Sequence, residues 1–256
     1  MMIVDRSLQL PVAGADPAPT DPALIERLSE IGTATACARL HHQGIRHTYM
    51  QGPQSLTPGR RVVGRALTLQ FMPQREDIAS GQDQEYIERG TALWAVLDKV
   101  EPGDVLVVQA YGSVTTGCFG DMLVRYFQRR GGVGLVIDGR IRDFPRVSQL
   151  DVPIWATGTT PQYASQAELF PWGYNVPVAC GGVLVLPGDL VVADDDGAVV
   201  LPLQRADAVI EAAAEHDAWE RFSRERIDAG GALQDYYPLT DDTRAEYESW
   251  RQLKRG

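Results

Sequence analysis

The stretch that decides the reading is "GCFGDMLVRYFQRRGGVGLVIDGRIRD", Gly117 to Asp143. Glycines and an acid open it, a glycine pair divides it, and Arg142-Asp143 closes it. The spacing predicts a helix over "GDMLVRYFQRR", with Met122, Leu123, Tyr126 and Phe127 on one face. Gly131-Gly132 stops that helix, and Val133 to Asp138 returns the chain as a strand. A helix of ~10 residues spans about 15 Å, and a strand of ~6 residues about 20 Å. The returning chain can therefore end near where the helix began, so one site holding Asp121, Arg142 and Asp143 is geometrically allowed. A plainer reading stays open: acids at helix starts are often caps, and an Arg-Asp pair after a strand is often a surface ion pair. Gly117 and Gly120 leave room for a ligand to approach the backbone. The first amides of the helix, near Met122 and Leu123, have no internal partners and suit a carboxylate.

Outward from this stretch, helical and strand patterns alternate. Thr20 or Asp21 can cap a helix with Pro22 at its first position, followed by Leu24, Ile25, Leu28 and Ile31 at helical spacing. A second short helix is expected over Thr33 to Leu40, and a strand over "RVVGRALTLQF" from Arg61 to Phe71. Residues 73–91 are polar and lead into a helix around Thr91 to Val100. "EPGDVLVVQA", "VPIWATG" and "NVPVACGGVLVLPGDLVVADDDGAVVLP" supply further strands, and Pro102-Gly103-Asp104 and Pro187-Gly188-Asp189 read as tight turns into them. A long amphipathic helix follows from Gln204 to about Ile227, and Tyr247, Trp250 and Leu253 mark a short one in the tail. The pattern predicts a single α/β domain with layered sheets and flanking helices. Residues 1–19 are expected as a flexible arm, 20–230 as the main body, and 231–256 as a tail packing on the body or on a neighbouring subunit.

Of the 256 residues 44% are hydrophobic, enough for one large core or two smaller ones. No run approaches the ~20 apolar residues of a membrane span. The first residues lack a basic region followed by a long apolar run, so no secretion signal is expected. The net charge of −10 shows no basic footprint for nucleic acid. Cys37, Cys118 and Cys180 are scattered and form no metal-binding or disulfide pattern, which suits a reducing cytoplasm. Lysine occurs only at Lys99 and Lys254, neither a persuasive Schiff-base nucleophile.

Gly117-x-x-x-Asp121, twenty residues, then Arg142-Asp143, together with "GVGLVIDGRIRD" and the long 175–202 block, resembles the RraA-like family. The likeness runs from about Ile25 to Ile227. It is with the branch of 4-hydroxy-4-methyl-2-oxoglutarate / 4-carboxy-4-hydroxy-2-oxoadipate aldolases. The resemblance implies a swivelling β/β/α domain, assembled as trimers or hexamers with sites at subunit interfaces. It implies a lyase using Mg²⁺ (or Mn²⁺) on a small anionic 2-oxo acid, with oxaloacetate decarboxylation through the same enolate. Asp143 would ligate the metal, Asp121 would act on it through water, and Arg142 would bind the keto-acid oxygens and steady the enolate. The amides after Asp121 would take the substrate carboxylate. A planar Arg suits a keto-acid edge, and one carboxylate with several waters suits Mg²⁺. An acid from a neighbour's C-terminal region would bring in Glu215, Glu220 or Glu225, whose plainer reading is a solvated helix face. The family also contains non-catalytic regulators of a ribonuclease. A dehydratase acting on a sugar-acid derivative is a third outcome. No nucleotide-binding glycine loop supports a methyltransferase.

Other candidates weigh less. Asp194, Asp195 and Asp196 before Gly197 read as a hairpin turn. His41, His42, His47 and His216 show no metal-ligand spacing. Arg75, Glu76 and Asp77 lie in a polar loop that departs from the family pattern, and Cys118 reads as packing.

Overall fold

The computed structural model describes residues 9–78, 89–163 and 168–255. Its centre is four parallel strands, β3 (Val62–Pro73), β4 (Asp104–Gln109), β5 (Gly134–Ile141) and β6 (Ile154–Thr159), side by side in that order. Each reads as a nearly unbroken apolar run because both faces of the sheet are covered. The side chains alternate between two cores, as the pleat requires. Leu106, Val108, Leu135, Ile137 and Ile154 enter one core, while Val105, Val107, Val136 and Trp155 enter the other.

The first core is completed by helices. Leu93, Val96 and Leu97 come from α3 (Ala92–Asp98), Val124 and Phe127 from α4 (Asp121–Arg129), and Val147 from α5 (Phe144–Val147). The second is completed by strands. These are β8 (Val178–Cys180) with β9 (Val183–Val185), and the hairpin of β10 (Leu190–Asp194) with β11 (Gly197–Leu201). β10 also pairs antiparallel with β3. The order of layers is therefore strand, strand, helix, as the resemblance implies. At the sheet edges β7 (Leu169–Tyr174) pairs antiparallel with β3, β1 (Val12–Ala13) parallel with β7, and β2 (Gln54–Ser55) antiparallel with β6. Helices α1 (Pro22–Ser29) and α2 (Thr33–His42) precede β2, with Asp21 and Pro22 at the expected start of α1.

One expectation is corrected. The apolar stripe of α4 is not Met122, Leu123, Tyr126 and Phe127: the buried positions are Val124 and Phe127, one turn apart, and Met122 is 71% exposed. Of residues 1–19, the first eight lie outside the described residues, and 14, 17 and 18 are hydrogen-bonded to the body. Gly14 N–H donates to the Tyr174 carbonyl (2.9 Å), and buried Arg65 donates to the carbonyls of Pro17 and Ala18 while gripping Asp104. Arg65 sits in a strand pattern, so nothing in the sequence announces that anchor. The chain divides at Ala206/Asp207 into two compact units. The second unit holds α6 (Ala206–Asp228), α7 (Leu233–Tyr236) and α8 (Asp241–Arg255). Phe222 of α6 packs against Tyr236, Tyr247 and Trp250 there. Among the described residues no helix is long and apolar enough to cross a membrane.

Candidate active site

In parallel α/β sheets ligands gather beyond the carboxyl ends of the strands. Here that edge carries Arg142-Asp143 after β5, residues 110–120 after β4 and Tyr163 after β6. The return of the chain is fixed by the backbone. Gly117 forms a parallel bridge with Arg140. Cys118 N–H donates to the Arg140 carbonyl (2.8 Å), and Arg142 N–H to the Phe119 carbonyl (2.9 Å). The 117–119 segment thus runs beside the end of β5 and delivers Asp121, the first residue of α4, next to Arg142 and Asp143.

The two glycines are explained by that approach. A β-carbon on Gly117 would lie 2.5 Å from the Gln162 carbonyl oxygen and 3.1 Å from Arg142 Cβ, and one on Gly120 would lie 2.7 Å from Asp143 Oδ2. Asp143 itself adopts a left-handed backbone, φ 55° and ψ 28°, unusual for a residue with a β-carbon. Such conformations concentrate at functional sites.

Every residue singled out for the site lines one cleft of about 210 Å³: Gly117, Gly120, Asp121, Met122, Leu123, Arg142 and Asp143. Leu93, Trp94, Cys118 and Tyr163 complete its wall. Typical drug-sized pockets start at about 300 Å³, so this cleft suits a smaller molecule. Arg142 Nε donates to Asp143 Oδ2 at 3.1 Å, with both side chains partly exposed. Among the described residues the Asp121 carboxylate, Asp143 Oδ1 and the two Nη groups of Arg142 have no protein partner. Among the described residues no side chain caps α4, and Asp121, Met122 and Leu123 of its first turn line the cleft.

The donor set fits a hard divalent cation that keeps most of its water: carboxylate oxygens only, open to solvent. Cys118 offers no thiolate to change that choice, since burial, reinforced by the Asp138 carboxylate, pushes its thiol far up. Among the described residues no group of three or more His, Cys, Asp or Glu converges, and those lining the cleft bring two carboxylates, Asp121 and Asp143.

The remaining candidates fall elsewhere. Asp194 accepts from the Thr33 amide and hydroxyl, serving the start of α2, and Asp195 accepts from the Gly59 amide. These acids belong to the β10–β11 turn. In the second unit Glu220 pairs with His216 and Arg224, Glu225 accepts from Trp250 Nε1 (2.8 Å), and Glu215 lines a groove with Arg221 and Trp250. Arg75 and Asp77 pair with each other, while residues 79–88 of that loop lie outside the described residues. Leu93, Trp94 and Tyr163 are the wall residues that the sequence does not single out, and Tyr163 stands against Arg142. It lies twenty residues beyond Asp143 in an irregular segment, with no motif to mark it.

A family model for RraA-like proteins, described as Aldolase/RraA, matches residues 33–200, and the chain belongs to this family. A Halalkalibacterium halodurans protein named "Putative 4-hydroxy-4-methyl-2-oxoglutarate aldolase" is 34% identical over 171 residues, covering 67% of this chain and 73% of that protein. The crystal structure of Streptomyces coelicolor RraAS2, described as an unusual member of the RNase ES inhibitor RraA family, is 62% identical. It superimposes with a TM-score of 0.76, covering 82% of this chain and 99% of that one. A Pseudomonas syringae pv. tomato protein described as uncharacterized is 28% identical with a TM-score of 0.73, over 87% and 96% of the two chains.

Proposed function

We propose that this chain is a divalent-metal-dependent lyase that cleaves a carbon–carbon bond of a small anionic 2-oxo acid by way of a pyruvate enolate. The observation that carries this reading is the shared cleft. It holds two carboxylates with free oxygens, a guanidinium with a free outer edge, and an uncapped helix start. The amides of Met122 and Leu123 would take the substrate carboxylate. The Nη edge of Arg142 would grip the 2-oxo group in two places and hold the negative charge that grows there as the bond breaks. Asp121 would orient the water that accepts the proton of the substrate hydroxyl and later returns a proton to carbon. Asp143, with Asp121 acting through water, would hold Mg²⁺ or Mn²⁺, whose contribution when bound is Lewis acidity toward the 2-oxo oxygen. Losing a charge-stabilising donor such as Arg142 costs about 3–4 kcal/mol of barrier.

The test is release of pyruvate from oxaloacetate and from 4-hydroxy-4-methyl-2-oxoglutarate, with and without Mg²⁺ or Mn²⁺. Metal-dependent release that disappears in Arg142→Ala and Asp143→Ala supports the reading. Silence on both substrates from a folded sample defeats it.

The 62% identity to RraAS2 favours a second reading, a regulator that binds a ribonuclease. Inhibition of ribonuclease ES by a chain silent toward both acids would select it. The trimer or hexamer implied by the resemblance agrees with the exposure of Trp94 and Met122 beside the cleft, and light scattering tests it.

A further inference from the structure

We propose that Tyr163 is a positioning residue for Arg142, holding the guanidinium so that its outer edge addresses the substrate. The inference rests on the lyase reading above. The Tyr163 ring faces the guanidinium with Arg142 Cζ 4.1 Å from the ring centroid, inside the range of a strong cation–π contact. Arg142 Nε is already engaged with Asp143 Oδ2. A guanidinium on a long flexible stem samples many orientations. With one edge on Asp143 and one face on Tyr163, the edge left over is the Nη pair, which has no protein partner among the described residues. A planar two-oxygen group such as a 2-oxo carboxylate matches that edge.

The approach to Tyr163 is built. Thr160 N–H donates to the Ile141 carbonyl (2.9 Å), the residue just before Arg142, and Thr160 Oγ1 to the Thr115 carbonyl (3.3 Å). Gln162 N–H donates to Thr160 Oγ1 (3.3 Å), and the Gln162 carbonyl packs against Gly117, where no β-carbon would fit. The same short turn is thus tied to both segments that form the site. The Tyr163 hydroxyl has no partner among the described residues, so the ring carries the contact and the phenol does not. Tyr163 is 38% exposed, and its replacement leaves the core intact.

Tyr163→Ala and Tyr163→Phe test this by steady-state pyruvate release and by calorimetric binding of oxalate, a planar mimic of the enolate, in the presence of Mg²⁺. A lost cation–π contact at a partly desolvated site corresponds to about a ten-fold effect. We expect Tyr163→Ala to lower kcat and kcat/KM together by about that factor, the signature of an interaction needed in the transition state. Oxalate should bind about ten-fold more weakly, and Tyr163→Phe should behave as wild type. An active wild type with an unimpaired Tyr163→Ala overturns this inference alone. So does a change confined to KM, or a Tyr163→Phe as damaged as the alanine variant. A wild type that neither releases pyruvate nor binds oxalate removes the lyase reading and this inference with it.

Discussion

Gly120 and Asp143 lie so close that a β-carbon on the glycine would stand 2.7 Å from Asp143 Oδ2. The backbone of Gly120 is extended, φ −116°, a conformation open to any residue. Gly120→Ala therefore asks nothing of its own backbone and forces only the carboxylate to move. The variant should fold, at a cost of about 1–3 kcal/mol for the added methyl. Its kcat/KM should fall by about 100-fold, the effect of displacing a site group by ~1 Å. Denaturant unfolding and pyruvate release measure the two quantities, and a variant with full turnover would show that the placement of Asp143 is immaterial.

Asp143 combines a left-handed backbone with a side chain that makes no capping hydrogen bond to the short helix it precedes. Its carboxylate therefore contributes little to the fold, and its β-carbon is a cost of about 1–2 kcal/mol at that φ. Glycine relieves the cost but adds freedom to the unfolded chain. Asp143→Gly should unfold within about 1 kcal/mol of wild type while losing turnover. Asp143→Val should lose turnover and about 1–2 kcal/mol as well. A glycine variant that stays active would remove Asp143 from the chemistry.

Lys99 Nζ sits 2.8 Å from Asp16 Oδ2. The hydrogen bond and charge of Asp16 raise the lysine's pKa above its ordinary value, so the amine stays protonated and non-nucleophilic at neutral pH. Lys99→Met should leave kcat unchanged. Borohydride added during turnover should leave the protein's mass unaltered. An adduct on Lys99 by mass spectrometry would replace the enolate-stabilising cation with a Schiff base.

What could be read in advance follows from the periodicities involved. The parallel strands were legible because Leu106 and Val107 belong to opposite faces that are both buried, which makes the run continuous. Fixed helix and strand rises allow Asp121 to meet Arg142-Asp143 but do not require it, and the backbone bonds of 117–119 along β5 bring them together. The stripe on α4 was misread because Met122 and Tyr126 are as apolar as core residues, and only packing shows Val124 and Phe127 to be the buried pair. The left-handed backbone of Asp143 and the ring of Tyr163 over Arg142 depend on how irregular segments cross. So does the anchoring of residues 17 and 18 by Arg65. No period encodes such crossings.

Asp138 gives a pH-dependent prediction away from the chemistry. Burial raises its carboxyl pKa, and the hydrogen bonds from the Gly181 and Gly112 amides offset this only in part. Across the interval between the ordinary carboxyl value, about 4, and the raised folded value, the folded chain keeps a proton that the unfolded chain has released. Stability from this group therefore falls as pH rises through that interval and stays reduced above it. Asparagine keeps an oxygen for the two amides and carries no charge to bury. Asp138→Asn should melt higher than wild type at pH 7. The difference should shrink toward zero as pH falls through the ordinary carboxyl value, about 4, below which folded and unfolded chains alike hold the proton. Thermal midpoints from pH 4 to pH 8 read this directly. A variant that melts lower at pH 7 would mean that the amides reward the charged carboxylate by more than burial penalises it.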